Sequence, residues 1–258
     1  MDMTTQIRSG LQNQGLPSPS LSWIQSAMPT RNPLPPLPAL TATVKTRFLA
    51  TDLTHPGLLE PSAPALPPNL ANPEAKEVHL SQDVLVQVLD IDNLSKSKWE
   101  QVEELEAIAR GEQTRGREII RLPTGNDEDE GFGDTQSVAA SERPATAAAA
   151  GRGGGASAVA AQATSASKHS THRLVLQDRT GQKIYGLELK RIERIGISTL
   201  NIGEKLLLKR GATVARGTVL LEPATCVILG GKVEAWNKAW MEGRLARLRE
   251  AVGADSRN

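Results

Sequence analysis

The residues with the strongest chemical potential are four consecutive acids, Asp127–Glu130. Clustered carboxylates can hold two divalent metals for phosphodiester cleavage, but that chemistry needs a rigid scaffold to fix the geometry. Here the acids lie between glycines in a tract with few large apolar residues, so they read as a solvated charge run. His169 and His172 are three positions apart, too few ligands for a metal, and read as linker histidines. Gly151, Gly153 and Ala156 match G-x-G-x-x-A, but an alanine run precedes them instead of the strand that dinucleotide binding requires. There is no G-x-x-x-x-G-K-[ST] phosphate loop and no G-x-S-x-G nucleophile elbow. Cys226 stands in an apolar strand and reads as a small core residue. Asp90 and Asp92 close a strand and are expected to cap its turn. These residues predict a protein that is not an enzyme, with no metal, no cofactor and no small-molecule substrate.

Composition narrows the classes further. The 258 residues contain a single Cys, which excludes a disulfide scaffold. No stretch approaches ~18 uninterrupted apolar residues, so no membrane span is expected. Met1–Gly10 lacks a signal peptide's basic and apolar regions, which predicts an intracellular protein. The formal net charge is +1, but it is unevenly spread: −2 over residues 1–97, −4 over 98–172 and +7 over 173–258. A basic module attracts phosphates or acidic partners. Lys190, Arg191, Arg194, Lys209 and Arg210 are the candidate DNA contacts in it. Lys190, Arg191 and Arg194 serve equally well as edge charges that discourage strand aggregation. Single-strand readers stack bases on aromatic side chains, and the strand region offers only Tyr185. That shortage favours protein binding over direct base reading.

The elements that must position these residues can be read along the chain. Residues 1–20 are polar and punctuated by Gly and Pro, and are expected to be disordered. Residues 21–60 read as a helical lead. Pro33, Pro35, Pro36 and Pro38 set up a helix whose face is Leu37, Leu40, Val44 and Phe48. Proline-rich residues 54–73 read as a connector. Val84–Ile91 is the first strand. Trp99–Arg110 reads as a short helix, and Glu118–Pro123 is an apolar island. Residues 138–171 are dominated by Ala, Gly, Ser and Thr, with too little apolar surface to offset the entropy of ordering. The whole of 98–171 therefore reads as a largely disordered insertion. Strands resume at 173–178 and 182–192, joined at Gly181, with a bend or bulge expected at Gly186. Residues 204–210, 215–221 and 226–229 supply the remaining strands. Met241, Leu245, Leu248 and Val252 mark a closing helix. The expected fold is mainly β. It is a five-stranded OB-fold barrel built from 74–97 and 172–252, with a helical lead and a C-terminal helix.

The same stretches carry a resemblance. Leu174–Gln177, Tyr185-Gly186-Leu187-Glu188, Ile202-Gly203-Glu204-Lys205, and above all Arg216-Gly217-Thr218-Val219-Leu220-Leu221-Glu222-Pro223 with Val227–Glu234 resemble the N-terminal OB-fold of the RecQ-mediated genome instability protein 1 family. Arg47, Phe48, Leu49, Asp52 and Leu53 resemble its helical lead. The resemblance implies a short, single-OB, fungal-type member, a non-catalytic nuclear subunit that binds topoisomerase III and a RecQ-type helicase. Such a complex dissolves double Holliday junctions, and DNA is engaged mainly through the complex. The resemblance also implies that Lys205 helps dock the topoisomerase. Insertion contacts are expected from Trp99 and from Ile119, Ile120, Arg121, Leu122 and Pro123. The alternative is a free-standing OB-fold protein that binds single-stranded or junction DNA through its basic module.

Overall fold

A computed structural model describes residues 2–30, 33–114, 117–118 and 170–253. The chain divides into two units, residues 1–102 with 169–258, and residues 103–168. The first unit begins with three helices, α1 (Met3–Asn13), α2 (Leu21–Ala27) and α3 (Leu37–Ala50). The N-terminus is thus helical where disorder was expected. Its apolar content is small, but Ile7 and Leu11, one turn apart, are wholly buried against α3 and the turns that follow. Ser20 caps α2 by accepting the Trp23 N–H, and also donates to the Gly57 carbonyl. Pro36 precedes α3 and Pro38 lies in its first turn, where a missing N–H costs nothing. Leu40, Val44 and Phe48 form the buried stripe of α3, with Trp23 edge-on to Phe48 at 6.0 Å. The proline-rich connector is also more than a spacer, because Leu58, Leu59, Leu66 and Leu70 are buried.

The sheet contains β1 (Val78–His79), β2 (Val84–Asn93), β5 (His172–Asp178), β6 (Lys183–Glu188), β7 (Lys205–Leu208), β8 (Thr213–Ala215), β9 (Thr218–Leu221) and β10 (Cys226–Gly230). Their order is β1-β8-β9-β6-β5-β2-β7-β10. Only β6 and β9 run parallel. β9 and β10 lie far apart in that order, yet only residues 222–225 join them. So short a link forces the sheet to curl on itself. Pro223, which lacks a ladder donor, falls in the break. The short β1–β8 pair adds strands beyond the expected five. Val84, Val86, Val88, Leu174, Leu176, Ile184, Leu206, Leu208, Val219 and Leu221 fill the interior.

Gly186 brings no bulge. It stays in register with Leu174 and Val219, and a Cβ there would press on Leu176 and Leu221, each 3.0 Å away. The small residue relieves crowding in the barrel. The irregularities fall instead between Val88 and Asp90 and between Ile228 and Gly230. The last helix, α5 (Glu234–Val252), packs Trp236, Trp240 and Met241 on the barrel core. Helix α4 (Lys98–Ala109) opens the insertion, so its start is ordered. The second unit contains the C-terminal part of α4 and the paired segments β3 (Gln113–Thr114) and β4 (Arg117–Glu118). No helix among the described residues is long and apolar enough to cross a membrane.

Candidate protein-docking site

Side chains alternate along β2. Val84, Val86 and Val88 enter the barrel, while Leu85 joins the cluster made by the helical lead. Gln87 shares the outer face with Leu85 and is fully buried. It stands opposite Gln177 of β5 on one side and Lys205 of β7 on the other. The Gln87 Nε2 donates to Asp52 Oδ1 at 2.7 Å and to Gln177 Oε1 at 3.1 Å, and its Oε1 accepts the Leu53 N–H at 2.8 Å. This polar row fastens the turn after α3 to the barrel wall. Burial pushes the Asp52 carboxyl upward, but hydrogen bonds from Gln87 and Thr54 and the nearby Lys205 charge outweigh it. The group is therefore held below its ordinary value.

Lys205 is a member of this row and has no exposed surface. Its Nζ donates to the Gly203 carbonyl at 2.6 Å. Desolvation pulls its pKa down to about 8, against the opposing pull of Asp52. The side chain expected to help dock the topoisomerase is thus fully enclosed in this conformation. Lys205 holds the seam between helical lead and barrel.

At the root of the insertion, Trp99 is 52% exposed in the first turn of α4. Ile119, Ile120, Arg121, Leu122 and Pro123 lie outside the described residues, as do Asp127–Glu130, His169 and the G-x-G-x-x-A match. His172 is not a linker residue. It is buried, with Nδ1 2.8 Å from Glu188 Oε2. Glu188 also accepts from Arg191 Nη1 at 2.9 Å and from the Ile192 N–H at 2.7 Å. The Leu94 N–H donates to the Thr171 carbonyl, and the Thr171 N–H to Ser95 Oγ, which ties both ends of the insertion together. Asp90 and Asp92 do not cap a turn. Asp90 accepts the Trp240 indole N–H at 2.6 Å, and Asp92 pairs with Arg173 at 2.7 Å.

The candidate DNA contacts do not form one patch of free cations. Lys190 pairs with Glu222 at 2.9 Å, Arg191 with buried Glu188, and Arg194 with buried Glu204 at 2.7 Å. Lys209 and Arg210 are exposed beyond the end of β7, where the Arg210 N–H bonds Asp83. Cys226 is a core residue, as expected, and burial raises its thiol to about 12. No group of three or more His, Cys, Asp or Glu suited to a metal occurs among the described residues.

Sequence reasoning missed the Asp52–Gln87–Gln177–Lys205 row. The signal was available, because Gln87 interrupts the apolar run Val84–Leu89 and Lys205 adjoins the apolar run Leu206–Leu208. It also missed an open cleft of about 490 Å³ lined by Leu89, Gln177, Lys183, Trp236, Trp240 and Arg247 among others, and edged by Asp52 and Thr54. No local pattern announces that cleft, since its lining comes from five separate parts of the chain.

Two comparisons agree with this architecture. The family model described as RMI1, N-terminal OB-fold domain, matches residues 66–244, and the one described as RMI1, N-terminal helical domain, matches residues 11–56. The RecQ-mediated genome instability protein 1 of Schizosaccharomyces pombe is 28% identical over 172 residues, covering 67% of this chain and 65% of that relative. The matched helical region contains α2, α3 and Asp52, and the matched OB region contains the barrel with Gln87 and Lys205, so the polar seam joins one matched region to the other. The chain belongs to the RecQ-mediated genome instability protein 1 family.

Proposed function

We propose that this chain is a non-catalytic structural subunit that maintains genome stability by binding topoisomerase III and a RecQ-type helicase. In this role it stimulates dissolution of double Holliday junctions, and its place of work is the nucleus. The observation that carries the reading is the pair of family matches, helical and OB-fold, on one unit bound through a buried seam. The name of the fission yeast relative connects that protein to RecQ-mediated genome stability. The pairing of Lys190, Arg191 and Arg194 with carboxylates also favours protein contacts over direct phosphate contacts.

The test is copurification of the chain with topoisomerase III and with the helicase, followed by decatenation of linked DNA circles. Binding and faster decatenation with the chain present are expected. A chain that leaves decatenation unchanged and copurifies with neither enzyme would overturn the reading. Steeply salt-dependent junction binding by the chain alone, without either enzyme, would favour the DNA-binding alternative.

A further inference from the structure

Two Leu-Pro-Pro stretches occur in this chain, Leu34-Pro35-Pro36 and Leu66-Pro67-Pro68, and the fold treats them oppositely. In the connector, Leu66 and Leu70 are buried, so that stretch packs on the chain's own core. Ahead of α3, Leu34 is 50% exposed and Leu37 is 38% exposed. A helix start accounts for a proline in its first turn, here Pro38. It does not account for Pro33 and Pro35 upstream, nor for two leucines left in water.

Backbone and spacing give this segment a specific shape. Pro36 has φ −57° and ψ 150°, close to polyproline II geometry, and residues 33–36 belong to no helix or strand. A polyproline II helix has three residues per turn. In that shape Leu34-Pro35 and Leu37-Pro38 are two identical dipeptides one turn apart, on one edge. The second dipeptide lies in the first turn of α3, and that turn is weakly fastened. Pro36 gives it no side-chain cap, no acidic residue stands in it, and Leu40 is the first buried residue of the helix. Opening it frees the Ala39 and Leu40 N–H groups from the Pro36 carbonyl and the Thr41 hydroxyl from the Leu37 carbonyl. No buried side chain is uncovered, because residues 37–39 are already exposed.

The chemistry of the segment selects its reader. Pro33, Pro35, Pro36 and Pro38 carry no N–H, so the segment cannot extend a sheet edge. Residues 33–44 have no charged or aromatic side chain, which leaves phosphates nothing to pair with and bases nothing to stack on. What remains is a ridge of Leu and Pro, the shape that aromatic-lined grooves receive. Among such grooves, that of an SH3 domain also pairs a basic ligand residue with acidic side chains. The groove of a WW domain reads proline and its aliphatic neighbours between Tyr and Trp rings, and needs no charge. We propose that Leu34–Pro38 is a docking motif for a WW-type domain. Its groove takes Leu34-Pro35 and, with the first turn of α3 opened, Leu37-Pro38. The motif stands whether or not topoisomerase III is a partner.

Titration calorimetry of the full chain against a panel of purified WW domains tests this, with SH3 domains run alongside. Saturable binding to WW domains is expected. Pro35→Ala with Pro38→Ala should weaken it at least about tenfold, and so should Leu34→Ser with Leu37→Ser, because a few anchors carry most of an interface's energy. None of the four side chains is buried, so the thermal midpoint should stay within a few degrees of wild type. Pro67→Ala with Pro68→Ala, in the connector, should leave affinity unchanged. A matching loss there would show that the prolines act only through the fold and would overturn the motif. Binding to no WW domain, binding to SH3 domains alone, or unaltered affinity in either motif variant would overturn it too. So would binding by a synthetic peptide of residues 33–38 but not by the folded chain, since α3 would then hold the motif closed.

Discussion

Lys205 faces Gln87 directly across the β2–β7 ladder, and neither has any surface in contact with solvent. Gln87 holds the Asp52–Leu53 turn through two hydrogen bonds, to Asp52 and from the Leu53 N–H, and makes a third to Gln177 on β5. Lys205 supplies the positive charge that helps keep Asp52 ionised. The helical lead and the barrel are therefore joined by a polar seam flanked by two apolar clusters. A substitution at Lys205 that lowers partner binding would act by loosening this seam.

The seam makes stability pH-dependent in a defined direction. The Lys205 pKa is about 8 in the folded chain against 10.5 ordinarily. Between these values the unfolded chain binds more protons, so stability from this group rises with pH from about 8 to 10.5. The rise is on the order of a few kcal/mol at most. Cys226 acts oppositely. Its thiol sits at about 12 when folded against 9.0 ordinarily, so its contribution falls as pH passes 9. In a Cys226→Ala background, the urea midpoint should therefore climb between pH 8 and pH 10.5. Adding Lys205→Met, which keeps the volume but cannot titrate, should flatten that climb. An identical climb in both proteins would show that Lys205 is not its source.

Much of this fold was legible in the sequence, and the failures share a cause. The periodicity that marks α3 and α5 and the apolar runs of β2, β5 and β7 are local signals, and these elements fall where expected, although Leu37, read as part of the α3 face, is exposed. Helix α1 was missed because it carries only Ile7 and Leu11 as buried apolar anchors, and its order comes from α3. His172 was misread because its partner Glu188 is on the next strand, beyond any local pattern. The docking role of Lys205 is what the family resemblance implies, and no local pattern shows that the side chain is enclosed. Its burial is set by Gly203, Gln87 and the Asp52 turn, which meet only in the folded chain.

Gly231 should tolerate no side chain. Its φ of +86° already disfavours an L-residue, and a Cβ would collide with the Leu49 carbonyl at the end of α3. Gly231→Ala must therefore either twist the end of β10 or push α3 off the barrel. A loss of about 2–4 kcal/mol is expected, the sum of backbone strain and lost packing. Chemical denaturation measures it directly. Gly211→Ala, at a similar φ of +86° but with open space around it, should cost clearly less. Equal losses would mean that the close approach to α3 contributes nothing.

Trp99 separates docking from folding. It is exposed in the first turn of α4, so Trp99→Ala should change stability by no more than about 0.5 kcal/mol. If the insertion helps bind topoisomerase III, the same change should weaken that binding severalfold. Titration against the enzyme, with thermal melting as control, gives both numbers. Unaltered affinity would remove Trp99 from the interface.

Glu188 is the anchor on which the exit of the insertion depends. It is buried between His172, Arg191 and the Ile192 amide, and accepts from all three. Replacing it with Ala leaves the His172 ring nitrogen and the Ile192 N–H without their acceptor and unpairs one guanidinium hydrogen bond. Breaking a buried ionic contact from the acceptor side costs about 3–5 kcal/mol, a large part of the stability of a domain this size. His172→Ala should cost less, because Glu188 keeps Arg191 and the Ile192 amide, and Arg191 also donates to the Ile195 carbonyl. Glu188→Gln should fall between wild type and Glu188→Ala, since it retains shape and hydrogen bonding but not charge. Urea unfolding of the three variants ranks them. If His172→Ala proved the most damaging, the histidine and not the carboxylate would be the group that holds β5 to β6 where the insertion rejoins the barrel.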